Sequence, residues 1–331
     1  MMRTAVLFLA LVMTTPALAT SLKIATLSPE GSFWMTAMRE AADKIAEETD
    51  DRVRFRFYPG GVMGNDSAVL RRIRTGQLQG AAMSGGALAS RAPDTQIYNL
   101  PLLFNNYDEV DYVRSRMDAE LEKAFADSGF VTFGLAEGGF AYIMSKNRVA
   151  STADIRDQKV WAPDDDPAAQ AASSTFGFSP TALSIGDVLT GLQTDLINTV
   201  TTSPVAAIAL QWHSQINYIT DLPLAYFYAM MAIDQRSFNR ISAEDQKVVD
   251  NHMREAFRRI DEQNRKDNAE ALTALQDQGI ELVKLNGEQR KDWQDKTRTA
   301  ADIYVEKAGI STAKLDQVQQ LLQTYRSNHA E

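Results

Sequence analysis

The run Arg52-Val53-Arg54-Phe55-Arg56-Phe57-Tyr58, read RVRFRFY, alternates charged and apolar residues and is followed at once by Pro59-Gly60-Gly61. A period of two describes a half-buried strand, and the Pro-Gly-Gly break ends it. The residues that follow, 67–75, repeat apolar positions at helical spacing and stop at Gly76, so one strand leads directly into one helix. The same alternation holds upstream. Residues 22–26 read as a first strand and 32–49 as an amphipathic helix with Phe33, Met38, Ala41, Ala42, Ile45 and Ala46 on one face.

Downstream, 97–104 is apolar but contains Pro101, which suits an edge or loop element. Residues 108–128 form a helix ended by Gly129, and 131–136 return as a strand. The order restarts past Phe140. Short strands are expected at 140–145, 159–161, 179–183 and 197–202, with helices at 167–176, 185–194 and 204–215. The continuous apolar run YFYAMMAI, 226–233, fits a strand buried on both faces. A helix from the N-cap Ser242 to Gln278, stopped by Gly279, would run roughly 55 Å and brace two lobes at once. A last strand at 280–285 and helices at 287–308 and 311–327 close the chain. Repeated strand–helix order predicts an α/β fold of parallel sheets covered by helices.

The first nineteen residues combine Arg3, an apolar run from Ala5 to Met13 and the small-x-small triplet Ala17-Leu18-Ala19. They read as a signal peptide, 1–19, so export is expected, with the working chain starting near Thr20. No other segment approaches ~20 apolar residues. There is no cysteine, and 43 Asp and Glu against 34 Lys and Arg leave a net charge of −9. That balance argues against nucleic-acid and direct lipid partners.

Catalytic signatures are thin. Of three histidines, none has a second ligand at metal spacing, and neither a Gly-x-Ser-x-Gly elbow nor a phosphate loop is present. Gly60, Gly61 and Gly64 lack dinucleotide spacing and read as a turn. Two α/β lobes without a catalytic constellation predict a binding protein with no cofactor, not an enzyme.

The run Tyr58 to Gly64, Gly76 after its helix, and Leu100-Pro101-Leu102-Leu103-Phe104 resemble the first half of substrate-binding proteins of tripartite ATP-independent periplasmic (TRAP) transporters. Asp154 to Pro163, read DIRDQKVWAP, is similar to that family's Asp-Leu-Lys-Gly-Lys-Ile-Arg-Val-Pro segment, and Asp187 to Thr194 to its helix ending in Ala-Leu-Gln. The likeness covers nearly the whole chain after the leader. It implies a two-lobed clamshell: lobe I in 20–138, lobe II in 139–225, then a hinge strand, the long bracing helix 242–278 and C-terminal helices in 226–331. It also implies a monomer in the periplasm that delivers a small solute to integral-membrane permease subunits driven by sodium.

The departures concern the ligand. Where the resemblance implies an arginine that pairs with a carboxylate, this chain has Trp161; where it implies a second, after Gly139-Phe140, it has Ala141. The glycine and aspartate of the family's Gly-x-x-Asp-Gly strand are replaced here by Asp195 and Asn198. An indole attracts cations and stacks on polyols, and Asp164, Asp165 and Asp166 add negative potential. Other positions carried over are Glu30, Trp34, Ser84, Phe140, Tyr142, Gln193, Thr202 and Ser203. A small amine or neutral hydroxylated solute is therefore expected, the alternatives being an organic acid held by a relocated cation, or a sensor input. Each position also has a packing explanation: Trp161 and Trp34 as core, Asp166 as the N-cap of the helix from Pro167, and Arg71, Arg72 and Arg74 as a solvated helix face.

Overall fold

The computed structural model describes residues 19–164 and 166–329; the segment 1–18, which holds nearly all of the expected signal peptide, and Asp165 lie outside the described residues. The first lobe opens with β1 (Thr20–Thr26), α1 (Phe33–Glu48), β2 (Val53–Tyr58), α2 (Asp66–Arg74) and β3 (Gly80–Ser84). It continues with α3 (Tyr107–Asp127) and β4 (Phe130–Thr132). Polar caps set the helix starts. Ser32 Oγ accepts from Met35 N at 3.3 Å, and the side chains of Asn65 and Asn106 accept from Ala68 N and Glu109 N at 3.0 Å each.

β5 (Ala136–Ser145) carries the chain into the second lobe, built from β6 (Trp161–Pro163), α4 (Pro167–Ser173), β7 (Thr181–Leu183), α5 (Val188–Gln193), β8 (Thr199–Thr202), α6 (Pro204–Ala209) and β9 (Tyr218–Thr220). β10 (Ala225–Asp234) returns to the first lobe. After it come α7 (Gln235–Phe238), α8 (Ala243–Asp277), β11 (Glu281–Val283), α9 (Gly287–Ala308) and α10 (Thr312–Asn328).

The expectation of purely parallel sheets is corrected. β1 pairs parallel with β2 and β3, β6 with β7, and β9 with β11, but β10 runs antiparallel to β3, β4 and β5, and β5 antiparallel to β8 and β9. The reason is connectivity. The chain leaves one lobe along β5 and comes back along β10, so the two crossing strands must point in opposite directions. The first half of β5, from Ala136 to Ala141, pairs with β10, while Tyr142 to Ser145 pair with β8. These two ten-residue strands are the hinge. Buried on both faces for most of its length, β10 matches its unbroken apolar sequence.

α8 ties the lobes together. Over 35 residues, about 52 Å, its apolar residues Val249, Met253, Ala256, Phe257 and Ile260 join the first-lobe core with α1. Leu275, near its other end, joins the second-lobe core with Trp161, Trp212, Val188 and Leu192. Between them, Asp261, Asn264, Arg265 and Asn268 recur at helical spacing and face the start of β5. Asp261 accepts from Glu137 N at 2.7 Å, Asn264 donates to Glu137 O, and Arg265 donates to the fully buried Glu137 carboxylate at 2.6 Å. Asn268 donates to Gly138 O at 3.3 Å and accepts from Val205 N of α6 at 3.2 Å, so one amide joins the hinge to the second lobe.

Gly139 is required beside that amide. Its φ is +90°, and a Cβ there would overlap Asn268 Nδ2 and stand 2.9 Å from its Cγ. Gly139→Ala should therefore cost about 1–3 kcal/mol from backbone strain alone. A urea midpoint unchanged from wild type would overturn this.

Candidate functional site

Strand direction locates the site. β1, β2 and β3 all end, at their carboxyl termini, in loops that feed a helix or turn, as do β6, β7 and β8 in the second lobe. In open α/β sheets a ligand sits outside those ends. The two sets face each other across one cleft, and a side-chain bond spans it: Asn65 Nδ2, at the start of α2, donates to Asp164 Oδ2, just past β6, at 3.4 Å. A recess of about 10 Å³ lies at the ends of β1 and β3, lined by Thr26, Gly64, Asp66 and Ala81 among others.

Several expected residues gather at this cleft. Ser84 ends β3, is exposed, and makes no capping bond. Exposed Asp164 is held by its own N–H on Leu183 O at 3.2 Å. Thr202 ends β8 opposite Tyr142 of β5, and burial pushes the Tyr142 phenol up. Ser203 is buried and caps α6 through Ala206 N at 3.4 Å. Glu30, in the loop after β1, is exposed and held in a two-point pair by Arg39 at 3.0 and 2.6 Å; that guanidinium keeps its carboxyl below the usual range.

Others are placed elsewhere. Trp161 is 8% exposed, its ring set edge-on to Trp212 at 5.3 Å and its N–H donated to Leu183 O at 2.9 Å. Trp34 packs edge-on against Phe257 and donates to Asn264 Oδ1 at 3.2 Å, which makes it part of the α1–α8 contact. Phe140 is buried between Tyr107 and Tyr226, with ring centres 4.9 and 5.7 Å away. Gln193 ends α5, in the neighbourhood of Lys146 and Asp195, at the opposite end of the second lobe from the cleft. Of the aspartate triplet, Asp166 caps α4 through Ala169 N at 2.8 Å, and burial lifts its carboxyl above the usual range despite that bond. Among the described residues no group of three or more His, Cys, Asp or Glu is placed to hold a metal ion.

Asn65 was not singled out from sequence. Its signal was that of an N-cap directly before Asp66, in the loop after Gly64. The hinge polar stripe was also legible as Asp261-x-x-Asn264-Arg265-x-x-Asn268, one helix face.

Two α/β lobes joined by crossing strands around a cleft are the architecture expected of a solute receptor. The profile of the bacterial extracellular solute-binding proteins, family 7, matches residues 24–307, and the chain belongs to that family, the periplasmic receptors of TRAP transporters. It is similar to the ectoine/5-hydroxyectoine-binding periplasmic protein UehA of Ruegeria pomeroyi, 23% identical over 86% of this chain and 89% of that one. The ectoine-binding periplasmic protein TeaA of Halomonas elongata is 22% identical over 86% and 82%. A match to an uncharacterized protein of Sinorhizobium fredii spans 54% of this chain and a third of that protein's length, 33%. Among solved structures, a TRAP periplasmic solute-binding protein from Xanthobacter autotrophicus with bound β-D-galacturonate superposes with a TM-score of 0.83. It covers 91% of this chain and 99% of its own, at 16% identity. The protein is thus a receptor and not an enzyme.

Proposed function

We propose that this receptor captures a small solute bearing a single carboxylate together with a hydroxylated or cationic portion, and delivers it by lobe closure to sodium-coupled membrane permease subunits. This revises the expectation of a carboxylate-free amine or polyol. Two of the relatives are named for ectoine and the solved structure holds β-D-galacturonate, and each of these solutes carries one carboxylate.

The observation that carries the reading is the pair Trp161 and Ala141, both buried, at the two positions where an arginine was expected. A dicarboxylate closed into a dry cleft whose guanidinium, Arg39, is already paired with Glu30 would hold uncompensated charge, a loss of order 3–5 kcal/mol. One carboxylate can instead be met by the amide ends of α1 and α2, whose N-termini face the cleft. Exposed Asp164 suits a remaining hydroxyl or cationic group, and Ser84 supplies an uncommitted hydroxyl. Closure follows if the solute touches both lobes, because only the closed form makes both sets of contacts.

A thermal-shift screen of the mature protein tests this with ectoine, D-galacturonate, succinate, choline and glycerol. Ectoine or galacturonate should raise the midpoint, since a solute at a hundredfold its Kd adds about 2.7 kcal/mol. Stronger stabilisation by succinate would overturn the single-carboxylate reading. A response confined to choline or glycerol would restore a carboxylate-free solute. Ser84→Ala should weaken the response about five- to tenfold, the value of about one hydrogen bond, without lowering the unliganded midpoint.

A further inference from the structure

A groove of about 990 Å³ lies outside the interlobe cleft, behind the hinge. Its floor is the loop Leu100 to Asn105 with Leu222 and Pro223, and its banks are α9 and α10. The floor joins the two lobes, because Leu102 N donates to Leu224 O, immediately before β10, at 2.7 Å.

Three features mark this groove as built to receive something. First, its charge opposes that of the chain. Among the described residues, Arg290, Arg298 and Arg326 line it against the single acid Asp302, in a protein of net charge −9. Arg326 is committed to Glu109 at 2.8 Å and to Leu103 O at 3.0 Å. Arg290 reaches only Asp221 O, at 3.4 Å, and Arg298, 77% exposed, stands 4.0 Å from Asp295, so both keep donors to spare. Second, Thr297 lines the groove, is 1% exposed, and its hydroxyl has no hydrogen-bond partner among the described residues. A buried hydroxyl left unbonded is costly, and a partner entering the groove would relieve it. Third, Leu102 holds a left-handed backbone, φ +52°, in the floor. Such strain in a non-glycine residue concentrates at binding and switch sites.

The shape and chemistry select the occupant. The two free guanidinium groups stand two helical turns apart on α9, with half-buried Leu103, Val305 and Leu315 between the banks, so a small inorganic anion fills too little of the space. Gln294, Gln319 and Gln323 along the rim offer amides that match a peptide backbone. A second copy of this acidic chain is disfavoured by like charge. We propose that the groove is a docking site for an acidic peptide segment of a protein partner, its carboxylates on Arg290 and Arg298 and its apolar side chains on the leucine floor. The site is separate from the solute cleft, and its floor includes Leu222 and Pro223, on the connection that leads into β10.

The test uses the full mature protein and two labelled peptides of equal length, one alternating glutamate with leucine and one alternating lysine with leucine, followed by fluorescence anisotropy. The glutamate peptide should bind and weaken with added salt, and the lysine peptide should not. Arg290→Glu/Arg298→Glu should weaken binding at least tenfold, while Arg72→Glu, on the exposed end of α2, leaves it unchanged. Thr297→Val should weaken it several-fold with no loss of thermal stability, which separates ligand contact from folding. Failure of the glutamate peptide to bind, or equal binding by the double variant, overturns the proposal. So does a dimer in size-exclusion chromatography that the double variant abolishes, because the groove would then be covered by a second copy.

Discussion

Replacing Arg114 with methionine is expected to lower stability by about 3–5 kcal/mol at neutral pH, the range for removing one partner of a buried charge network. Arg114 is 9% exposed and uses its whole fork: Nε to Asp118 at 3.0 Å, Nη1 to Asp261 at 2.8 Å and to the Tyr226 hydroxyl at 3.0 Å, and Nη2 to Leu135 O. Burial works against the charge on Arg114, but the surrounding Tyr226, Asp118 and Asp261 outweigh it and hold the guanidinium protonated well above its ordinary range. Methionine fills similar volume, so the effect reports the lost charge and its hydrogen bonds and not a cavity. It leaves Asp118 with the Tyr98 hydroxyl at 2.8 Å, and leaves Asp261 bonded only to Glu137 N and without its cation.

The pH dependence has a definite sign. Burial already raises the Asp118 carboxyl above its usual range, against the pull of Arg114. Without the guanidinium it rises further, and a folded-state pKa above the unfolded value means stability falls as pH increases through that window. The penalty should therefore be largest at neutral pH and shrink as pH drops towards about 5. Urea unfolding at both pH values measures it. A loss under about 1 kcal/mol at neutral pH, the value of an exposed pair, would show that the network does not brace the hinge.

How much of this was legible in the sequence depends on the distance over which each feature is encoded. The Arg52-to-Tyr58 alternation, the Ser242 cap and the Gly279 stop are local, and β2 and α8 lie where those signals put them. Short elements were less visible. The three-residue β9 has no room for a period, and the helix expected through 204–215 breaks at Gln211, whose φ of +61° has no composition signal. Strand direction was invisible as well, because an apolar run reads the same in parallel and antiparallel pairing. Arg114 and Asp261 lie 147 residues apart, and Asn65 and Asp164 lie 99 apart, so neither pair leaves a local pattern. The family likeness located position 161 in the chain but said nothing about which way its side chain turns.

Trp161→Ala should consequently act on folding first. The indole lies within the second-lobe core against Trp212, and truncating a buried aromatic costs about 3–5 kcal/mol through lost contacts and the cavity left behind. The connection to the cleft runs through the N–H. Trp161 Nε1 and Asp164 N both donate to Leu183 O, at 2.9 and 3.2 Å, so the indole fixes the carbonyl that anchors the Asp164 turn. Trp161→Phe keeps most of the packing and removes that donor. It should cost only about 1 kcal/mol of stability, the net value of one hydrogen bond, and weaken solute binding several-fold by freeing Asp164. Asp164→Asn in the same background separates the routes. If Trp161 acts through Asp164, the double variant binds no more weakly than Asp164→Asn alone; if the indole touches the solute directly, the two losses add. An alanine variant as stable as wild type would remove Trp161 from the core and return it to the cleft wall.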